Sequence, residues 1–283
     1  MEDFSRCFPV APLPDQSSTA DRSSQFDSAI DQLSLHCWQH YEKQSNVRHK
    51  YSLYVGSLGP CAFVRYSLAA SLSLERMKDT RRLLRDALQA VDAVLDTHLA
   101  KRGMRVTLLE GEHVGALALS IVLSYALRRS TEGDIVDLET SPTKNELLDI
   151  GHRFVKGLRH SECEVLYGRA GYLGALAFVR AGTGDNMFGM NLARDLVGAI
   201  VMEGERVARA HSKGLPLLWE WHGKTYLGAI HGVAGILFTL LCFYEEVSLI
   251  EGAVEKIKDT ITKLGDMCSA SGNLRSSIGS ERE

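Results

Sequence analysis

Four times along the chain an aromatic or apolar lead-in runs into a pair of glycines and then into an apolar stretch. The segments read SLYVGSLGPCAFV (52–64), TLLEGEHVGALAL (107–119), EVLYGRAGYLGALAFV (164–179) and LGAIHGVAGILFTL (227–240). The first glycines are Gly56, Gly111, Gly168 and Gly232, and the second are Gly59, Gly115, Gly171 and Gly235. The second glycines recur at spacings of 56, 56 and 64 residues. A period of this size marks one supersecondary unit per repeat. Two helices of about 15–20 residues plus their loops fill it, so each unit reads as a helical hairpin. The helix after the glycines is apolar all round and belongs inside. The helix between glycine pairs, such as 80–102 or 250–264, is amphipathic and belongs outside. Such hairpins stack into an open solenoid or a closed α/α toroid, and wholly apolar inner helices favour the toroid.

The rest of the pattern is helical, with no sustained period-two alternation, so the fold class is all-α. Leu84, Leu88, Val91, Leu95 and Leu99 form one stripe, with Asp79 or Thr80 as the expected N-cap and Gly103 as the stop. Leu147, Ile150, Phe154 and Leu158 form a second, after Ser141-Pro142, which suits a helix start. Leu192, Leu196 and Ile200 form a third, and Ile250, Val254, Ile257, Ile261 and Leu264 a fourth. Residues 1–28, rich in Pro, Ser, Asp and Gln between 9 and 28, read as a loose leader, with the helical domain over 29–283. Residues 226–244 approach the length of a membrane span, but their glycines and His231 favour a buried helix. At each inner-helix start, the glycines are expected to turn the backbone sharply and leave N–H groups pointing at a common mouth.

Composition narrows the function less than the repeat does. A net charge of -3 argues against nucleic acid as the main partner. The start, Met1-Glu2-Asp3, has neither a secretory pattern nor a myristoylation glycine, so the expected location is the cytoplasm. The six cysteines are scattered without a CxxC pair and are expected to be reduced.

The blocks YGRAGYLGAL (167–176), WHGKTYLGAIHGVAGI (221–236) and SGNLRSSIGSERE (271–283) resemble the lanthionine synthetase C-like (LanC-like) family, relatives of the bacterial lantibiotic cyclases. With the glycine repeats, the resemblance runs over about residues 50–283. It implies an α/α toroid of seven hairpins, related to the architecture of six-hairpin glycosidases. It also implies a mouth zinc that activates a thiol for addition to dehydroalanine or dehydrobutyrine in peptides. In eukaryotic members that thiol is glutathione, and the activity is thioether-forming or glutathione-transferase-like.

The sequence departs from that pattern in one respect. In the family a Trp-Cys-His-Gly segment and a later Cys-His-Gly carry the zinc ligands, after the stretch resembling SIGSERE. The sequence given ends at Glu283, and none of its six cysteines matches a zinc position. The expectation is a truncated LanC-like chain of about four and a half hairpins. It would bind no zinc, be inactive in thiol addition and, with its ring open, be poorly soluble.

The resemblance assigns roles to particular residues. His231 matches the family's active-site histidine, and an imidazole titrating near neutrality can return a proton to the carbanion that thiol addition creates. Glu164 stands where the bacterial cyclases have an aspartate and could orient a His or Arg; the alternative is a solvated loop carboxylate. Arg282 aligns with an Arg just ahead of the zinc cysteine and could hold a carboxylate or phosphate, or be an exposed terminal charge. Tyr167, Arg169, His222 and Lys224 flank the glycine turns and could contact substrate, with Trp221 read as packing. His36 and His40, beside Cys37, are too few for a metal site.

Other functional classes also follow from the pattern. One is a non-enzymatic glutathione-binding, signalling or scaffold protein, peripheral at the plasma membrane. Another is a carbohydrate-active toroid, which would need two carboxylates across the scissile bond. Near the turns only Glu110, Glu112 and Glu164 are available, with no evident pair.

Overall fold

The structure is a computed structural model. It describes Gln32 and residues 51–54, 56–63, 66, 77–98, 107–110, 112–129, 141–157, 162–211, 214–269 and 272–280. Arg282, the His36/Cys37/His40 group, Gly103, Gly111 and the expected leader lie outside these. After a short π-helical turn, Gly59–Phe63, come α1 (Met77–His98), α2 (Glu112–Arg129), α3 (Pro142–Gly157), α4 (Arg169–Thr183), α5 (Met190–His211), α6 (Val233–Leu241), α7 (Tyr244–Ser248) and α8 (Ala253–Asp266). Among the described residues there is no strand, only isolated bridges between Trp221 and Lys224 and between Tyr226 and Ser277. The all-α reading holds.

The two kinds of helix fall into two layers. In α2 every residue from His113 to Leu123 is buried, and α4 is nearly as enclosed. These follow the glycine pairs and pack side by side, α2 on α4 and α4 on α6. The amphipathic helices cover them: α1 lies on α2, α3 on α2 and α5, α5 on α4, and α8 on α6. Each outer helix buries one stripe, as in α1, where Leu83, Leu84, Ala87, Val91 and Val94 face inward.

Several boundaries differ from the sequence expectation. Asp79 and Thr80 lie inside α1, which already runs from Met77, so neither caps it. The apolar run at 226–244 is not one helix: α6 stops at Leu241, and α7 restarts at Tyr244. Among the described residues, no helix is long and apolar enough to cross a membrane. In α8 the buried face is Ala253, Ile257, Thr260 and Leu264, while Ile261 is exposed. Thr260 is drawn inward because its hydroxyl accepts the Leu217 N–H at 3.2 Å and donates to Lys256 O at 2.7 Å.

The units are also tied backbone to backbone through their lead-ins. Tyr54 N donates to Leu109 O at 3.0 Å, Leu108 N to Gly171 O at 3.0 Å, and Val165 N to Ile230 O at 3.2 Å. The fourth unit continues the series, with Leu227 N bonded to Ser276 O at 3.1 Å and Ile278 N to Thr225 O at 2.9 Å. Buried Thr107 adds a side-chain link, its hydroxyl donating to Leu166 O at 2.7 Å. The glycine turns thus form a row along one end of the inner layer.

Candidate active site

Each glycine turn is shaped by its lead-in folding back over the helix start. In α4 the first N–H groups are already used: Arg169 N donates to Glu162 O at 3.0 Å and Ala170 N to Cys163 O at 3.3 Å. In α6, Val233 N donates to Tyr226 O at 3.0 Å and Ala234 N to Leu227 O at 3.1 Å. The expectation of free helix N–H groups at a common mouth is therefore corrected: the lead-in carbonyls cap them. That overlay also explains the glycines. Gly168 and Gly232 have extended backbones, but a Cβ on Gly168 would lie 2.5 Å from Glu164 N, and one on Gly232 2.6 Å from Gly228 N. At Gly171 and Gly235 a Cβ would overlap the carbonyl oxygens of Val165 and Ala229.

The residue four before the first glycine closes the turn. In the second unit it is Thr107, whose hydroxyl accepts the Glu110 N–H at 3.3 Å. In the third it is Glu164, whose Oε1 accepts the Tyr167 N–H and whose Oε2 accepts the Leu166 N–H at 2.8 Å. A carboxylate does the work of a hydroxyl here and keeps further acceptor capacity. That capacity reaches the next unit: Oε2 also meets His231 Nδ1 at 2.8 Å. The side chain of Glu164 is 3% exposed and that of His231 26%. Glu164 is therefore no solvated loop carboxylate. It orients His231, with Nδ1–H as donor, and leaves Nε2 as the ring nitrogen not held by the carboxylate.

Aromatic rings enclose the imidazole. Trp221 stacks on it face to face, with centroids 3.9 Å apart and planes 2° from parallel. Tyr167 lies 6.0 Å from His231 and 5.9 Å from Trp221, nearly parallel to both. Tyr226 lies 6.1 Å from His231 at a steeper angle. Trp221 is held by a two-residue hairpin: Trp221 N donates to Lys224 O at 2.9 Å and Lys224 N to Trp221 O at 3.1 Å. His222 (φ 49°) and Gly223 (φ 72°) supply the positive φ pair of such a turn. His222 also sits edge-on against the Trp221 ring at 4.4 Å.

The structure thus brings together Glu164, His231, Tyr167 and His222, with Lys224 exposed at the hairpin end. It adds Trp221, which the sequence reading treated as packing. Arg169, expected at the mouth, is buried, and its guanidinium donates to Cys163 Sγ at 3.6 Å. Burial pushes the Cys163 thiol up to about 11, against the opposing pull of Arg169, so it is neither a nucleophile nor a ready metal ligand at neutral pH. Cys242 and Cys268 are exposed. Among the described residues, no three His, Cys, Asp or Glu side chains are grouped to hold a metal. These residues do not fit the zinc implied by the resemblance.

Comparison with known proteins identifies the family. The chain is 27% identical over 183 residues to "Glutathione S-transferase LANCL1" of Danio rerio, covering 63% of this chain and 42% of that protein. It is 36% identical over 121 residues to "LanC-like protein GCL1" of Arabidopsis thaliana, covering 42% of this chain and 27% of that protein. The chain spans less than half the length of these relatives. The family profile described as "Lanthionine synthetase C-like protein" matches residues 48–278, which takes in all four glycine units and the His231 turn, so the chain belongs to the lanthionine synthetase C-like family.

Proposed function

We propose that this chain recognises a thiol peptide of the glutathione class beside the glycine turns, where Glu164 and His231 form the proton-handling part of a thiol-addition site. The observation that carries this reading is the buried Glu164 carboxylate meeting His231 Nδ1 at 2.8 Å, with Nε2 left for chemistry. Family membership and the name of the Danio rerio relative, a glutathione S-transferase, support the thiol class.

In such a reaction the neutral imidazole takes the thiol proton at Nε2 as sulfur attacks the β-carbon of a dehydroamino acid. The S–C bond forms, the π pair moves to the α-carbon, and the imidazolium returns the proton there. Nothing leaves, and the product is a thioether. Glu164 holds the ring by Nδ1 while Nε2 takes and returns the proton.

The first proton transfer is uphill. A free thiol is intrinsically a weaker acid than an imidazolium. The described residues add no second device that makes thiolate. The expected result for this chain is therefore ligand binding with little or no turnover.

Titration calorimetry with glutathione, paired with mass spectrometry of a dehydroalanine peptide incubated with glutathione, tests both halves. Binding that His231→Asn weakens, with adduct formation no faster than in buffer, is the expected outcome. No heat of binding at ~1 mM glutathione removes the recognition claim. Adduct formation faster than in buffer removes the expectation of inactivity.

A further inference from the structure

Trp221 has no part in the chemistry just described, yet its contact with His231 is the closest ring pair of the cluster. A stack at 3.9 Å and 2° places the negative face of the indole against the whole imidazole ring. The same ring is gripped at its Nδ1 edge by Glu164. Two restraints at right angles leave the imidazole neither tilt nor rotation, so the direction of Nε2 is fixed. The indole is itself constrained, because the Trp221–Lys224 hairpin needs positive φ at His222, a conformation uncommon for a residue with a side chain.

We infer that Trp221 is a positioning residue, which aims His231 Nε2 through the ring face stacked on it. This deepens the proton-handling reading of His231 and rests on it, but its test does not require turnover. The other ionisable groups around the pair are Glu164 at Nδ1, Tyr167 and Tyr226 beside the rings, His222 edge-on to the indole, and Lys224 across the hairpin.

The stack supplies its own reporter, since a protonated imidazole in contact with indole quenches its fluorescence. In the wild-type chain, tryptophan emission followed from pH 5 to 9 falls on acidification, with a midpoint equal to that of the His231 Cε1–H resonance in NMR. His231→Asn abolishes that step. Trp221→Leu keeps apolar cover but removes the ring face, and the His231 Cε1–H resonance loses the ring-current shift that a stacked indole imposes. Trp221→Phe, which restores a ring, brings part of that shift back.

An emission profile without a step at the His231 midpoint overturns the inference, and so does a His231 Cε1–H chemical shift unmoved in a folded Trp221→Leu chain. If Trp221→Leu does not fold, the wild-type, His231→Asn and Trp221→Phe titrations still decide. Absent glutathione binding with an intact emission step would sink the function proposed above while leaving this inference standing.

Discussion

Glu164 holds its turn by accepting two backbone N–H groups, at Leu166 and Tyr167, while also reaching His231. Glu164→Ala leaves those two donors without their acceptor in a buried turn, at about 1–3 kcal/mol each. Relaxation and the removed buried charge offset part of this. A loss of about 2–4 kcal/mol in urea unfolding is expected, smaller for Glu164→Gln, which keeps one oxygen acceptor. A near-neutral Glu164→Ala would show that the turn does not depend on the carboxylate. Nearby Cys163 predicts a pH effect. Its folded-state pKa is raised by burial to about 11, so its contribution is full below the ordinary thiol range near 9 and is lost as pH rises through 11. About 2–3 kcal/mol is at stake. Unfolding free energies of wild type and Cys163→Ala measured from pH 7 to 11 should diverge least at the alkaline end. This region was partly legible in the sequence. His231 and Glu164 are reachable from the motif, and Thr107 in the same register four before a glycine hints that Glu164 caps a turn. Trp221 was not, because its contact with a residue ten positions on depends on a hairpin with positive φ at a histidine.

The glycine pairs show which part of an element a pattern can reveal. The repeat locates inner helices α2, α4 and α6 and their order, because periodicity survives without coordinates. It does not say why glycine is required. The backbones at Gly168 and Gly232 are extended, so the cause is not a left-handed conformation but the lead-in chain lying where a side chain would go. Gly171→Ala and Gly235→Ala each drive a Cβ into a lead-in carbonyl and should cost about 1–3 kcal/mol or more, with loss of the capping bonds. Gly198, in α5, has nothing within 4 Å of an added Cβ. Gly198→Ala should be neutral or stabilise by about 0.5–1 kcal/mol, through helix propensity alone. Thermal melts of the three variants separate the explanations, since equal effects would mean that helix propensity, not close approach, governs these positions. Helix ends were the least legible part. Thr260 turned inward and Ile261 outward in α8 because a hydroxyl meeting the Leu217 N–H outweighed one apolar contact.

Across the whole molecule, the inner layer is not equally covered along its length. Counting from the second glycine, α2 has Ala118 and Ile121 where α4 has Gly174 and Ala177 and α6 has Phe238 and Leu241. In α2 both are buried, whereas Phe238 is 70% and Leu241 47% exposed. Tyr244 in α7 and Leu249 just after it are exposed as well. The helix with the highest share of large apolar residues thus carries an exposed face, where α2 buries the equivalent positions and α4 has only the small, half-buried Gly174 and Ala177. An apolar patch of this kind is removed from water by association unless another surface covers it. Burying what is exposed of one Phe and one Leu is worth roughly 2–3.5 kcal/mol per copy, which favours weak self-association. Sedimentation velocity of the chain at tens of micromolar should show species larger than monomer, with enhanced fluorescence of an apolar dye. The double substitution Phe238→Glu/Leu241→Lys should shift the population to monomer and lower the dye signal while leaving far-UV circular dichroism unchanged, since both positions point away from the α4–α6 packing. A wild-type chain that stays monomeric without dye binding would mean that this face is already satisfied within the molecule.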